Sequence, residues 1–112
     1  MASTAKGTFE ISLTPGPSEV GGAVDRFDFT KTFHGELEAT GKGVMLSCGD
    51  PQTGSAGYVA IESVDGCLGE RAGGFALQQL GMMQRGSPTL HYEVVPGSGR
   101  GALHLTFRRW GR

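Results

Sequence analysis

Several residue types are scarce in this chain, and each scarcity excludes a class of structure. Asparagine is absent from the 112 residues, which excludes Asn-Gly hairpin turns, so glycine is expected to supply the positive-φ positions alone. The two cysteines, Cys48 and Cys67, lack Cys-x-x-Cys spacing and are predicted to be reduced thiols. No stretch approaches the ~20 apolar residues that span a bilayer, and no charged flank precedes an apolar segment at the N-terminus. The sequence therefore predicts a cytoplasmic protein without a membrane partner.

A large charge of one sign is also missing. The net charge is −1, with six Lys or Arg against eleven Asp or Glu in residues 1–99 and four arginines without an acid in residues 100–112. Because an acidic body repels phosphate, no nucleic-acid partner is predicted. The three histidines lack metal-ligand spacing, and no glycine segment has the spacing of a phosphate or dinucleotide loop, so neither a metal nor a cofactor is predicted.

Glycine, in contrast, is abundant. It occupies 20 of 112 positions without a three-residue period, and it separates short runs in which apolar and polar residues alternate. This pattern is typical of antiparallel strands joined by tight turns. The length suits one domain, residues 1–112.

The alternation predicts the positions of the strands. Strands are expected at residues 8–13, 24–34, 57–64 and 89–95, with a loop at 14–22 and a turn at 50–54. Residues 35–48 are predicted to form a longer strand with a bulge or bend at Gly41 and Gly43.

Two charged residues share strand faces with apolar ones. Lys31 lies on the face of Phe27, Phe29 and Phe33, where it either reaches a rim or marks a polar point inside a cavity. Glu62 shares a face with Tyr58. The opposite face of residues 57–64 carries Val59 and Ile61, so parity alone leaves both faces open as the interior.

One segment has conflicting signals. Residues 75–84 have helix-compatible composition, with Leu77, Leu80 and Met83 three apart. Gly81 within the run, and strand signals on both sides, favour a strand. No other segment has a helical period, so the predicted fold class is all-β with at most one helix.

Glycine-containing motifs follow one another along the chain in a specific order. They are Lys31-x-Phe33-x-Gly35-Glu36-Leu37, Gly43-x-Met45-Leu46, Gly54-Ser55-Ala56-Gly57-Tyr58-Val59-Ala60-x-Glu62, Gly66-x-Leu68, Arg71-x-Gly73-x-Phe75-x-Leu77-Gln78 and Val94-Val95-Pro96-Gly97-Ser98-Gly99-x-Gly101-x-Leu103. With this combination, residues 5–103 resemble an uncharacterised bacterial family, domain of unknown function 3224. The resemblance implies an antiparallel β-barrel similar to allene oxide cyclase and dirigent proteins, with residues 75–83 as a strand, and it implies no established activity.

The chain departs from that family pattern in places. The family often has Gln-His where this chain has Gln78-Gln79, and usually Ser or Thr where it has Cys67. The family continues beyond the position of Leu103 with further strands, whereas this chain turns to a basic end. We therefore predict a barrel that lacks its last strands, with residues 104–112 an atypical basic tail.

The candidate site residues are one acid and a set of pocket-lining side chains. A buried Glu62 would have a raised pKa and could act as a catalytic acid or base. Tyr58, Gln78 and Tyr92 could orient a carbonyl or hydroxyl group, and Met45 could form an adaptable wall. Core packing and solvent exposure are the competing explanations for each of these residues.

Two function classes follow. The first is a barrel that binds a small hydrophobic molecule and acts as a cofactor-independent cyclase or isomerase. The second is a non-enzymatic, self-associating scaffold or interaction protein. A homo-oligomer is expected in either case because unpaired sheet edges tend to find another chain.

Overall fold

The described part of the chain is an antiparallel sheet with one short helical turn. A computed structural model describes residues 7–103. The strands are β1 (Gly7–Gly16), β2 (Val24–Gly35), β3 (Leu37–Asp50), β4 (Ser55–Leu68), β5 (Arg71–Gln84), β6 (Ser87–Val94) and β7 (Arg100–Gly101), with a 3-10 turn at Pro51–Thr53. The predicted all-β fold class is confirmed, and the predicted turn at 50–54 contains the 3-10 turn.

The strands pair in the order of the sequence. The sheet order is β1-β2-β3-β4-β5-β6, and β7 pairs with β5 at Gly73 and Gly74. Among residues 7–103, β1 pairs only with β2 and β6 only with β5, so these strands form an open sheet. The predicted barrel without its last strands is therefore not found, because the described strands form an open sheet. The predicted tail at 104–112 lies outside the described residues.

One face of the sheet carries the buried side chains, and we call it the inner face. Its main cluster packs residues from β2 to β6 and the segment after β7, because alternate residues along each strand point to the same side. The opposite, outer face is largely exposed. The cluster consists of Phe33, Leu37, Ala39, Val64, Phe75, Leu77, Val94 and Leu103.

Two sequence expectations concern the ends and type of strands. The ambiguous residues 75–84 belong to β5, as the family resemblance implies. The predicted loop at 14–22 begins too early, because β1 continues to Gly16 and Pro15 lies opposite Phe27 in the register. An edge strand tolerates proline because its outward-facing backbone needs no N–H donor.

Two further expectations are wrong for physical reasons. β3 shows no bulge, since Gly41 and Gly43 each have one partner on β2 and one on β4 in an unbroken register. Nor does glycine supply every positive φ, because Arg85 has φ of 51° beside Gly86 at 77° in the hairpin between β5 and β6. That two-residue turn lies between Gln84 and Ser87, which are paired.

Candidate functional site

The inner face carries charged and polar side chains at its centre. Glu62 on β4 is 2% exposed and Lys31 on β2 is 8% exposed. The alternation along β4 places Tyr58, like Glu62, on the inner face, whereas Val59 and Ile61 point outward and are 49% and 54% exposed. This resolves the two open alternatives: the face with the acid is the interior, and Lys31 is a polar point within it.

These side chains form a continuous hydrogen-bonded cluster. The Lys31 Nζ donates to Glu62 Oε1 at 2.7 Å, and the Gln79 Nε2 donates to the same oxygen at 2.7 Å. The Tyr58 hydroxyl donates to Gln79 Oε1 at 3.2 Å. Glu62 Oε2 has no hydrogen-bond partner. A buried carboxylate is tolerated here because an ammonium neutralises it and an amide adds a second donor.

Glycines on β3 make this ion pair sterically feasible. Lys31 and Glu62 come from β2 and β4, which flank β3, so the two strands are about 9.6 Å apart across two strand spacings. Gly41 lies opposite Lys31 and Gly43 opposite Glu62. A Cβ on Gly41 would lie 2.5 Å from Glu62 Oε2. The missing side chains thus leave the space over β3 in which the pair meets.

Aromatic rings surround the Lys31 ammonium. Its Nζ lies 4.9 Å from the centroid of Phe9, 5.5 Å from that of Phe29 and 5.7 Å from that of Phe33. Ring faces attract a cation through their quadrupole. Lys31 thus has three ring contacts in addition to its ion pair with Glu62.

Tyr58 is half-buried beside this cluster. Burial raises the pKa of its phenol above the usual value of about 10. An ionised Tyr92 and the Glu62 carboxylate raise that pKa further, because a nearby negative charge opposes a phenolate. Tyr58 is therefore a neutral hydrogen-bonding group at physiological pH. Its ring lies against Gly81 on β5, where a Cβ would collide with it.

A cavity of about 420 Å³ opens on the inner face over these residues. Its polar lining includes Lys31, Tyr58, Gln79 and Tyr92, and most of the rest is apolar. Glu62 is not among the lining residues, whereas its two hydrogen-bond donors are. The apolar lining includes Phe9, Ile11, Phe29, Phe33, Leu37, Met45, Ala60, Leu77 and Leu90.

The structure brings together most of the residues singled out in the sequence. Tyr58, Tyr92 and Met45 line the cavity, and Glu62 lies behind it. Gln78 does not join them, because it is exposed on the outer face. Its neighbour Gln79 lies on the inner face instead. Gln79 is not among the candidate residues predicted from the sequence. The alternation from Phe75 through Leu77 identifies position 79 as inward-facing once β5 is known to be a strand.

Other site types lack support in the part of the chain that the structure covers. No group of three or more His, Cys, Asp or Glu within residues 7–103 could hold a metal ion. Cys48 and Cys67 are free and exposed on separate strands. Within the same range, the strands and single short turn include no helix of the length and apolarity needed to cross a membrane.

Comparison with known proteins places this fold in a family. Residues 5–106 match the profile of the "Protein of unknown function (DUF3224)" family. The chain belongs to this DUF3224 family. It is also similar to the crystal structure of a DUF3224 protein of unknown function from Shewanella oneidensis MR-1, with 48% identity and a TM-score of 0.82. The match covers 88% of this chain and 76% of that one. No curated protein matches the sequence.

Proposed function

We propose that this DUF3224 chain binds a small, neutral and mostly apolar organic molecule in the inner-face cavity. The observation that supports this is a cavity of about 420 Å³ with a mostly apolar lining that also includes Lys31, Gln79 and Tyr58. Small-molecule sites commonly combine these two properties, since apolar area gives affinity and sparse polar groups fix orientation.

The charge balance of the cluster favours a neutral ligand. The Lys31 ammonium is neutralised by Glu62 at 2.7 Å. A ligand carboxylate would therefore be attracted by Lys31 and repelled by Glu62. A carbonyl or hydroxyl oxygen can instead accept a hydrogen bond from a remaining Nζ–H. The cavity thus matches a molecule with an apolar body and one such oxygen.

A second cavity extends the available volume. It measures about 430 Å³ and shares Met45, Tyr58 and Leu90 with the first. An elongated ligand could place its polar end near Lys31 and its apolar body past Tyr58. A cyclase or isomerase reaction would add proton transfer to this binding, with Glu62 acting through Lys31 because its own side chain is fully buried.

A thermal-shift screen with matched tryptophan variants tests the proposal. A lipophilic panel of carbonyl and hydroxyl compounds should raise the melting temperature of the wild type, because a ligand that binds the native state stabilises it. Leu90→Trp should abolish the shift by filling the cavity. Leu80→Trp should leave the shift unchanged, because Leu80 lies on the outer face, away from the cavity. The two positions are matched in exposure, at 49% for Leu80 and 47% for Leu90. No shift with any compound, or equal loss in both variants, would contradict cavity binding.

Self-association as a scaffold is the second candidate function. Large apolar side chains remain about half exposed at the centre of the outer face. They are Val59, Ile61, Leu80 and Met82. Exposed apolar patches of this kind often mark interaction surfaces. A protein that self-associates through this face and binds nothing in the cavity would support the scaffold instead.

A further inference from the structure

Lys31 differs in its surroundings from the other lysine that the structure describes. The chain has three lysines, Lys6, Lys31 and Lys42. Lys42 is exposed on β3, and Lys6 precedes the described residues. Lys31 is 8% exposed, lines an apolar cavity and touches a carboxylate. It is therefore an amine held at a fixed place where a bound molecule would meet it.

We propose that Lys31 forms an imine with an aldehyde or ketone bound in the inner-face cavity. This inference rests on the proposed small-molecule binding and adds to it the substrate class and the covalent step. Amines in apolar pockets are the groups that proteins use for imine chemistry with carbonyl compounds.

The buried carboxylate supplies the proton transfers that the step needs. Glu62 Oε1, at 2.7 Å, accepts a proton from the Lys31 ammonium and leaves a neutral amine. The amine lone pair attacks the carbonyl carbon and the C–N bond forms. One proton then moves from the nitrogen to the carbonyl oxygen, which becomes the hydroxyl of a carbinolamine. The Glu62 proton then passes through the Lys31 nitrogen to that hydroxyl, which departs as water. One carbonyl compound and one ammonium thus give one protonated imine and one water, with no oxidant or reductant.

The electrostatics of the site suit the product as well as the starting state. The protonated imine carries the same single positive charge on the same nitrogen as the ammonium. It therefore keeps the Glu62 counter-ion and the ring faces of Phe9, Phe29 and Phe33, at 4.9 to 5.7 Å. Gln79 continues to hold the carboxylate in place through its 2.7 Å hydrogen bond.

Reductive trapping with benzaldehyde and sodium cyanoborohydride tests this inference. Hydride from the reagent converts the protonated imine into a stable secondary amine, and peptide mass spectrometry identifies the modified lysine. We expect the initial rate at Lys31 to exceed that at Lys42 by at least about tenfold, because the cavity holds the carbonyl group beside the amine. Modification of Lys42 or Lys6 at an equal or greater rate would overturn the proposal.

Matched variants separate the chemistry from the fold. Lys31→Arg keeps the cation and its Glu62 partner, so it should fold as the wild type does by circular dichroism, yet lose the adduct at position 31. Lys42→Arg should leave the rate at Lys31 unchanged. Leu90→Trp should slow labelling of Lys31 and spare Lys42. If Lys31 labelling survives Leu90→Trp, the reaction does not use the cavity and the proposal fails.

The melting temperature distinguishes failure of the imine from failure of binding. If benzaldehyde alone raises the melting temperature and Leu90→Trp removes that shift, while no adduct forms at Lys31, binding stands and the imine is overturned. If benzaldehyde gives neither a shift nor an adduct, and the wider carbonyl and hydroxyl panel also gives no shift, both proposals fail. A shift and a Lys31 adduct that are lost together in Leu90→Trp support both.

Discussion

Single glycines on the inner face determine how the charged cluster fits. The sequence suggests a bulge or bend at Gly41 and Gly43, yet both residues are paired on each side in an unbroken register. Their role is steric, because a side chain at Gly41 would meet Glu62 and one at Gly43 would meet Phe29. Gly81 has the same relation to the Tyr58 ring. A strand glycine can therefore mark a close approach of side chains from neighbouring strands.

Replacing Gly41 with alanine tests this explanation. The new Cβ would lie 2.5 Å from Glu62 Oε2, so the carboxylate must move and its hydrogen bonds are strained. We expect a loss of about 1 to 3 kcal/mol in the free energy of unfolding, measured with urea. Gly57→Ala is the control, because its Cβ would have only an ordinary contact at 3.7 Å. Equal effects of the two substitutions would exclude the steric role.

Tyr58 makes a testable contribution to alkaline stability. Burial, Tyr92 and Glu62 raise its pKa in the folded protein. In the unfolded chain the phenol ionises near pH 10, so the folded state holds the proton to higher pH. The free energy of unfolding should therefore fall as pH rises above about 10, and Tyr58→Phe should remove that part of the decline.

Ultraviolet titration measures the same shift directly. The chain has two tyrosines, so in a Tyr92→Phe background the phenolate absorbance comes from Tyr58 alone. Its midpoint should lie higher in the folded protein than in urea, even though this background lacks the contribution of Tyr92, because burial is the largest cause. Coincident midpoints would contradict a buried, hydrogen-bonded phenol.

The sequence singles out two residues of the cluster but does not predict that they contact each other. Lys31 stands out as a cation on an aromatic face, and Glu62 as an acid beside Tyr58. Their contact depends on the register of three strands and on the space over β3, and neither follows from alternation within one strand. Gln79 is missed for a related reason, since its direction is defined only when residues 75–84 are assigned to a strand.

At the scale of elements, alternation predicts the strands but not all of their ends or turns. Residues 75–84 have helical propensity, yet pairing with β4 on one side and β6 on the other places them in the sheet. Tertiary context overrides propensity in such segments. Pro15 and Arg85 are also disfavoured by local preference at their positions. The edge strand β1 nevertheless accepts Pro15, and the tight hairpin between β5 and β6 accepts Arg85.

The hairpin between β5 and β6 contains a residue that can be improved. Arg85 has φ of 51°, a left-handed conformation that is costly for a side chain other than Gly, Asn or Asp. Asn-Gly is the preferred pair when both central residues have positive φ. Arg85→Asn should therefore raise the free energy of unfolding by about 1 kcal/mol in urea denaturation. Arg85→Lys keeps the unfavourable conformation and should show no gain; a gain of the same size would point to charge instead.

The whole molecule leaves apolar groups uncovered on two surfaces of the described sheet. At its edge, Phe9, Ile11 and Leu13 of β1 point inward but are 54%, 47% and 46% exposed. On the outer face, Val59 and Leu80 are paired neighbours at the sheet centre and both are 49% exposed. The sequence predicts the self-association expected from open edges, whereas the outer-face patch becomes evident only when the register is known.

Both surfaces lead us to expect a homo-oligomer, with the outer face as its main contact. Burying this patch against a second copy would remove apolar area from water without disturbing the inner-face cavity. Size-exclusion chromatography with light scattering should report a dimer or larger assembly for the wild type. Leu80→Lys places a charge in the patch and should yield a monomer, whereas Gln78→Lys, at an exposed position on the same face of β5, should not. An assembly that survives Leu80→Lys would assign the contact to the edge of β1, and a wild-type monomer at high concentration would contradict self-association.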